Sequence, residues 1–409
     1  MSNSTISRAT SLPPIIDIDD LGFDSGAHLF VRQALAGVPV GGVIRVTGSF
    51  EGWDAQLSAW ARGQGHRAFF SEEDGRVVAS ITRGEVDRAL GAMSTGCSDP
   101  DIDGAVHEKA HPRWGLAARG AKVEAGAPEF SFRLDSKNEI WAEGAAELYA
   151  QAVSAQWNPE LAIDWNASFE LPDWAEDAVV QVMTYMIENE NAALVVPARF
   201  LGQIHPHFRE IQALLAIQVA DEARHIDVFT RRARLKGREP ALSTGGGQAS
   251  LKTLLDEPDF SVAGFLLSVL GEGTFVNLLN FLNNHAPDPV TRQIARLAAR
   301  DEARHVAFGM AHLEWALKRE PDLRMRLALA VEARSDTLAA SGGLNEAVFD
   351  SLILLAAGEF TPRGIASGYA AVQRLMLEMA EGRRARLEKL GFEKGRALSL
   401  SALHTRNFM

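Results

Sequence analysis

A repeat does most to narrow what this chain can fold into. Asp221-Glu222-Ala223-Arg224-His225 returns 80 residues later as Asp301-Glu302-Ala303-Arg304-His305. Neither copy contains glycine or proline, nor do the flanks Gln218-Val219-Ala220 and Leu297-Ala298-Ala299-Arg300, so both copies belong inside helices. In each copy Glu and His stand at i and i+3. Three residues turn a helix by about 300°, which puts both side chains on one face about 60° apart. A carboxylate oxygen and an imidazole nitrogen placed there can bind a single metal ion. One Glu-x-x-His is a chance-level match, but two copies of one pentapeptide beside apolar stripes are not. Leu214, Ile217 and Val228 flank the first copy; Ile294, Leu297 and Phe308 flank the second.

A two-metal site needs further carboxylates from the helices that precede the motifs. In Phe265–Val276 the only charged residue is Glu272, with Phe265, Val269, Phe275, Val276 and Leu279 on its own face. A carboxylate on a core stripe is costly unless something positive pairs with it, and a metal ion can do so. Ahead of the first copy, Glu190 lies on the apolar stripe of Met183, Met186, Ile187, Ala193 and Leu194, while Glu188 faces the polar flank. Glu190 is therefore chosen. It lies 32 residues before Glu222, and Glu272 lies 30 before Glu302, spacings that suit two antiparallel helix hairpins. Four carboxylates and two imidazoles are hard-to-borderline donors, suited to iron or manganese and not to Cu(I).

The pattern around the motifs is helical almost to the C-terminus. Helices are expected over 142–156, 173–196, 207–235, 260–284, 289–317, 322–341, 345–357 and 362–389. Breaks are expected at Pro197, His205-Pro206, Gly237–Gly247, Pro287/Pro289, Pro321, Gly342-Gly343 and Pro362. The Gly245-Gly246-Gly247 run reads as linker. The expected organisation is a tail (1–14), an α+β module (15–84), an irregular linker (85–141), a helical domain (142–390) and a C-terminal tail (391–409). Within the module, strands over Ile15–Asp19, Gly42–Gly48, Arg67–Phe70 and Val77–Thr82 and helices over Ala27–Ala36 and Trp53–Arg62 give a β-α-β-α-β-β order. The fold class is mainly α, a helical bundle with a small N-terminal α+β module.

Composition removes several functions. Lys and Arg number 41 against 53 Asp and Glu, a net charge of -12, which argues against nucleic-acid binding. The single cysteine, Cys97, rules out internal disulfides and thiolate-rich zinc sites, sits beside no base, and fits a reducing compartment. Met1–Pro14 has no apolar core of a signal peptide, and no run approaches 18 consecutive apolar residues, so no membrane association and a cytoplasmic location are expected.

Two lone glutamates and two Glu-x-x-His pairs on four helices resemble the ferritin-like di-iron and di-manganese carboxylate bundles, over residues 142–390. The Asp-Glu-x-Arg-His form is most similar to the oxygen-activating oxidases and hydroxylases of that superfamily, such as bacterial multicomponent monooxygenases. The resemblance implies metal ligation by Glu190, Glu222, His225, Glu272, Glu302 and His305. It implies that Asp221 and Asp301 accept the second ring N–H of the histidines, and that Arg224 and Arg304 pair with nearby carboxylates. It implies two Fe ions, or Mn with Fe, and O2 as co-substrate. The expected activity is oxygenation of a small organic substrate, by hydroxylation or a related reaction, in a pocket near Ala193, Leu194, Phe275 and Val276. No flavin, iron–sulfur or nicotinamide motif is visible, so the electrons come from a separate reductase or ferredoxin. A homodimer stays open.

Three other readings are carried. A ferroxidase or iron-handling protein would have no organic substrate. An amine N-oxygenase usually has an extra histidine one turn before a motif glutamate, where this chain has Ala298 and Gln218. A radical generator like ribonucleotide reductase needs a tyrosine near the metals, and Tyr185 lies five residues from Glu190 on another face.

The N-terminal module resembles the TusA-like sulfur-carrier fold in Asp19–Gly22 before the first helix, in the Val31–Val38 helix end, and in Ala59-Trp60-Ala61-Arg62 followed by Gly65-His66. That family carries sulfur on a cysteine just ahead of the first helix. Here the stretch reads Gly22-Phe23-Asp24-Ser25-Gly26, so a structural or docking role is expected instead. The aromatic stretch Trp157–Trp165 reads as core packing or a lid, and His205, His207 and His285 as helix-end caps or surface residues.

Overall fold

Alternating apolar residues and an Asp-Gly turn set the first unit. The computed structural model describes residues 15–84, 91–99, 102, 104–340 and 346–403. The expected tail over 1–14 and the break at Gly342-Gly343 lie outside the described residues, as do 404–409. Two compact units are present, 1–94 with 122–127, and 95–121 with 128–409. In the first, β1 (Ile15–Asp17), α1 (Ala27–Ala36), β2 (Val43–Thr47), α2 (Trp53–Gly63), β3 (Arg67–Glu73) and β4 (Arg76–Thr82) follow the expected order. The sheet order is β1-β2-β4-β3, parallel between β1 and β2 and antiparallel elsewhere. Asp74 and Gly75 both have positive φ, 51° and 77°, as a tight hairpin turn that follows the strand twist requires. Val31, Leu35, Val46, Leu57 and Ile81 form the core between sheet and helices.

The second unit is helical. Its main elements are α3 (Ala145–Ser154), α4 (Asp173–Leu201), α5 (Arg209–Arg234), α6 (Gly245–Asp256), α7 (Phe260–His285), α8 (Pro289–Arg319), α9 (Leu323–Ala340), α10 (Glu346–Ala357), α11 (Pro362–Lys389) and α12 (Lys394–Ala402). With the small sheet this is the expected mainly α fold class.

Four differences from the sequence expectation have physical causes. Helix α4 passes through Pro197 to Leu201. A proline removes only one intrahelical bond, and here it is buried near the helix end where neighbouring packing offsets that loss. The run Gly245-Gly246-Gly247 opens α6 instead of linking helices, because Thr244 caps it, its Oγ1 accepting from the Gly247 N–H at 3.1 Å, and Leu251 and Leu254 are buried. Residues 394–402 are not a tail: α12 buries Ala397 and Leu400, and Ser401 Oγ donates to the Ala380 carbonyl at 2.8 Å. The stretch expected as linker over 85–141 contributes packed structure. In the helical unit Trp114 and Arg119 are buried, and Arg119 Nη1 donates to Glu210 Oε2 at 3.0 Å at the start of α5.

The α7 stretch bears on the expectation that no helix spans a membrane. Phe260–His285 is long and apolar enough by length and composition, with mean hydropathy 1.6, yet 83% of that window is buried. That is the signature of a core helix. It is not a uniform one: Phe260–Gly264 is α-helical, Phe265–Glu272 is a π-helix, and Gly273–His285 is α-helical again.

Arg232 ties the ends of three helices together. Its guanidinium donates to Glu176 Oε1 in α4 at 2.6 Å, to Asp288 Oδ2 at the N-cap of α8 at 2.8 Å, and to Thr291 Oγ1 at 2.9 Å, all buried. The α4/α5 and α7/α8 hairpins are thereby fixed to one another at that end.

Candidate metal centre

Both motifs lie inside long helices, Glu222 and His225 on α5 and Glu302 and His305 on α8, with Glu190 on α4 and Glu272 on α7. All six side chains are buried and converge. Their ligand atoms form two overlapping groups, each within 4.8 Å: Glu190, Glu222, His225 and Glu302, and Glu222, Glu272, Glu302 and His305. Glu222 and Glu302 belong to both groups. Glu190 with His225, and Glu272 with His305, belong to one each. Glu188 is outside the cluster, as its polar face predicts. This is the helix-by-helix layout of the ferritin-like carboxylate bundles.

The cluster does not satisfy itself. Glu190 Oε1, Glu222 Oε1, Glu272 Oε2, both Glu302 oxygens and His305 Nδ1 are buried without a hydrogen bond. Close approach without bonding geometry is the telling feature: His305 Nδ1 is 3.0 Å from Glu222 Oε1, and His225 Nδ1 is 3.4 Å from Glu302 Oε1. Donor atoms about 2.1 Å from one ion in an octahedral arrangement stand about 3 Å apart and aim at the ion, not at each other. The residues therefore fit a pair of metal ions, with Glu222 and Glu302 able to span both.

The electrostatics agree. Burial, and then the neighbouring Glu222 and Glu302, raise the carboxyl of Glu190 well above the usual range. Burial and Glu302 do the same to Glu272. Burial would also raise Glu222, but His305 and His225 beside it outweigh that and hold it low. Burial pushes both imidazoles down, yet the surrounding carboxylates win and raise His225 and His305 well above their ordinary value. Four buried carboxylates thus await positive charge that the chain supplies only in part.

The supporting shell is crossed between the repeats. His225 Nε2 lies 3.1 Å from Asp301 Oδ2, and His305 Nε2 lies 3.4 Å from Asp221 Oδ2. Each aspartate of one motif accepts from the Nε2–H of the other motif's histidine, so that Nδ1, which faces the carboxylates, would be the nitrogen to ligate a metal ion. Arg224 Nη2 donates to Asp221 Oδ1 at 2.5 Å and to Asp301 Oδ2 at 2.8 Å, and Arg304 bonds Asp301 and reaches Asp221 Oδ2 at 3.5 Å. Two residues that sequence reasoning did not assign complete this layer. Trp157 Nε1 donates to Asp301 Oδ2 at 2.8 Å, and Gln156 Nε2 to Asp221 Oδ1 at 2.6 Å. Trp157 also stacks on His225 (6.4 Å, 18°) and lies 4.6 Å from the Arg224 guanidinium. The aromatic stretch is packing with a polar task, and its only sequence signal was its richness in tryptophan.

Beside the cluster, Gln218 Nε2 donates to Glu272 Oε1 at 3.2 Å. Gln218 and Ser268 form the polar end of a cavity of about 30 Å³ whose walls include Val196, Phe200, Leu267 and Phe308. That is room for a water-sized molecule. Ala193, Leu194, Phe275 and Val276, expected to line a pocket, do not line this one. Phe275 instead packs on Tyr185, their rings 6.1 Å apart. Gly309, which lines the cavity, lets α8 approach α7 closely: a Cβ there would stand 2.9 Å from that of Ser268. His205 and His207 are buried, not surface residues, and the His205 ring caps the His207 N–H at 3.0 Å.

No family model matches the chain, and no curated protein sequence matches it. Among solved structures it is similar to a protein with aldehyde deformylating oxidase activity from Synechococcus, at 19% identity over 56% of this chain and 96% of that one, with a TM-score of 0.41. It is also similar to R2-like ligand-binding oxidases. One with a reconstituted Mn/Fe cofactor is 15% identical over 61% of this chain and 94% of that one (TM-score 0.47). One with an Fe/Fe cofactor is 14% identical over 61% and 94% (TM-score 0.49).

Proposed function

We propose that this protein is an O2-dependent oxidoreductase that holds two metal ions, both Fe or Mn with Fe, and oxygenates a small, largely apolar organic molecule. The observation that carries this reading is the set of unbonded, buried oxygens on Glu190, Glu222, Glu272 and Glu302, arranged in two groups that share Glu222 and Glu302. Two bound irons would supply the redox capacity and the open positions that O2 activation needs. The chain's own residues do the rest. Four carboxylates offset most of the charge of two divalent ions. Asp301 and Asp221 fix the ring orientation of His225 and His305, and against the cost of burial those histidines, joined by Arg224 at Asp301 and Gln156 at Asp221, keep the aspartates ionised. The surrounding apolar helices exclude water.

The cavity beside Gln218, which bonds Glu272, has room for a molecule the size of O2, and this supports an O2-using centre over plain iron storage. Placing one oxygen atom of O2 in the substrate and reducing the other to water consumes two electrons and two protons. A separate reductase or ferredoxin supplies the electrons in this reading, in a reducing, cytoplasmic setting that suits the single Cys97. The β-α-β-α-β-β order of the first unit supports its sulfur-carrier resemblance, and without the cysteine its role is docking or structural.

The test begins with metal content, then anaerobic Fe(II) loading and stopped-flow absorbance on mixing with O2. About two irons per chain and a transient visible band support the proposal, and product analysis with apolar candidates follows. A chain that takes up no metal, or one ion without O2 chemistry, overturns it.

A further inference from the structure

Two arginines, Arg383 buried and Arg386 half-buried, lie against the π-helix that carries Glu272, and among the described residues neither has a carboxylate partner. Arg383 is 1% exposed, and its Nε and Nη2 are unbonded. Its Nη1 reaches Thr274 Oγ1 at 3.3 Å, and that hydroxyl donates to the Leu270 carbonyl at 2.6 Å. Arg386 Nε donates to the Val269 carbonyl at 2.7 Å, and its Nη2 is buried and unbonded. Burial lowers both guanidinium groups to a pKa of about 10, so both stay charged at neutral pH. Burying a cation without an anion is costly, so a structural return is expected where it points.

Arg386 points at the turn that ends in Glu272. A π-helix bonds each N–H five residues back, as Gly273 N–H does to the Ser268 carbonyl, and such turns occur mostly as single inserted residues. The wide turn leaves carbonyls poorly served by the backbone, and Val269 and Leu270 are the two that side chains serve here. Immediately after Glu272 stands Gly273, and a Cβ there would lie 2.5 Å from Arg386 Cζ. The guanidinium therefore rests on the bare backbone of the residue following the carboxylate.

We propose that Arg386, supported by Arg383 through Thr274, is a positioning residue that holds residues 265–272 in the π register and so aims Glu272 at the position it shares with His305. Relaxing the turn to a regular α-helix would remove its extra residue and rotate one side of the helix by about 100° relative to the other. Glu272 would then leave the face that meets Glu302 and His305. No equivalent brace is needed for Glu190, which sits in an uninterrupted α-helix.

This inference rests on the metal reading, and its test separates the two. Anaerobic titration with Fe(II) is carried out on the full chain, on Arg386→Gln, on Arg386→Lys, and on Gly273→Ala, which keeps the arginine but displaces it. The expected result is about two ions in the parent chain. In Arg386→Gln and Gly273→Ala one ion binds as before and the second at least tenfold more weakly, with Arg386→Lys nearer the parent. In parallel, amide hydrogen exchange of the metal-free proteins is followed. Exchange within 265–273 should quicken at least tenfold in Arg386→Gln, while the Glu190 region is unchanged. If Arg386→Gln does not fold, Gly273→Ala and Arg386→Lys decide the matter by the same two readouts. A parent chain that takes no metal sinks the metal reading, and the exchange data still judge the brace. Two ions bound within twofold of the parent, or unchanged exchange, overturn the inference.

Discussion

The two hairpins that build the cluster share a pentapeptide and differ in the helix that supplies the lone glutamate. On α4, Glu190 projects from an unbroken α-helix of 29 residues and comes within 3.7 Å of the His225 ring. On α7, Glu272 ends a π turn and accepts from Gln218, which lines the cavity. One half supplies its ligand from a regular helix. The other supplies it from a π turn that side chains serve, with a small cavity next to the glutamine that bonds it. Duplicated chemistry therefore need not mean equivalent surroundings for the two ligand groups.

Four measurements break or sharpen that contrast, from the largest effect down. The shared carboxylates come first. Glu222→Ala or Glu302→Ala should strip both positions and take metal content from about two ions per chain to none after desalting, whereas Glu190→Ala or Glu272→Ala should each cost one. Elemental analysis reads this directly, and two ions retained by Glu222→Ala would falsify the bridging assignment.

Next is the joint between the halves. Arg232→Met leaves Glu176 and Asp288 buried without their cation, and should cost about 3–5 kcal/mol in denaturant unfolding. A loss under about 1 kcal/mol would mean that the hairpins hold together without that clamp.

Acid should then reveal which half yields first. His312 on α8 is buried, and that burial lowers it to about 4, its ring bonded to Ser261 Oγ at 2.8 Å and the Trp141 carbonyl at 2.9 Å. His207, at the head of α5, is also lowered to about 4, by burial and then by Arg119. A histidine with a depressed folded pKa binds more protons when unfolded. Its contribution is complete above pH 6.5 and is lost as pH falls from 6.5 toward 4. The full shift is worth about 3 kcal/mol per residue. Unfolding of His312→Gln and His207→Gln between pH 7 and 4.5 should show a flatter pH profile than the parent, and the flatter of the two marks the weaker half in acid. Parallel profiles in all three proteins would exclude both histidines.

The smallest effect is the crossed support. Asp301→Asn should weaken metal binding about 10–100-fold, chiefly at the His225 position, although Asp301 belongs to the second motif. Asp221→Asn should act on the His305 position. Position-resolved titration in Glu190→Ala and Glu272→Ala backgrounds distinguishes this from each aspartate serving its own repeat.

Much of the site was legible in the sequence because its cost was. Glu190 and Glu272 announce themselves as lone charges on apolar stripes, and the motif pairs by recurrence. The π turn was not legible: Phe265–Leu270 is almost uniformly apolar, and a run without polar residues carries no phase from which a wider turn could be read. The cavity was missed because its lining comes from four helices, from Val196 to His312, and no local pattern shows where they leave a gap. Gln156 and Trp157 reach Asp221 and Asp301 across 65 and 144 residues, beyond any local pattern. In α4, proline statistics misplaced a boundary that tertiary packing moved, and in α6 one cap residue outweighed three glycines.

The crossed aspartates have a further consequence for how such a chain can change over generations. Because Asp221 answers to His305 and Asp301 to His225, a substitution in one repeat is felt in the other. Neither copy can drift into a spare while its twin keeps the function, so the pair must vary as a unit. The two pentapeptides are, in effect, a single inherited trait written at two places in the chain.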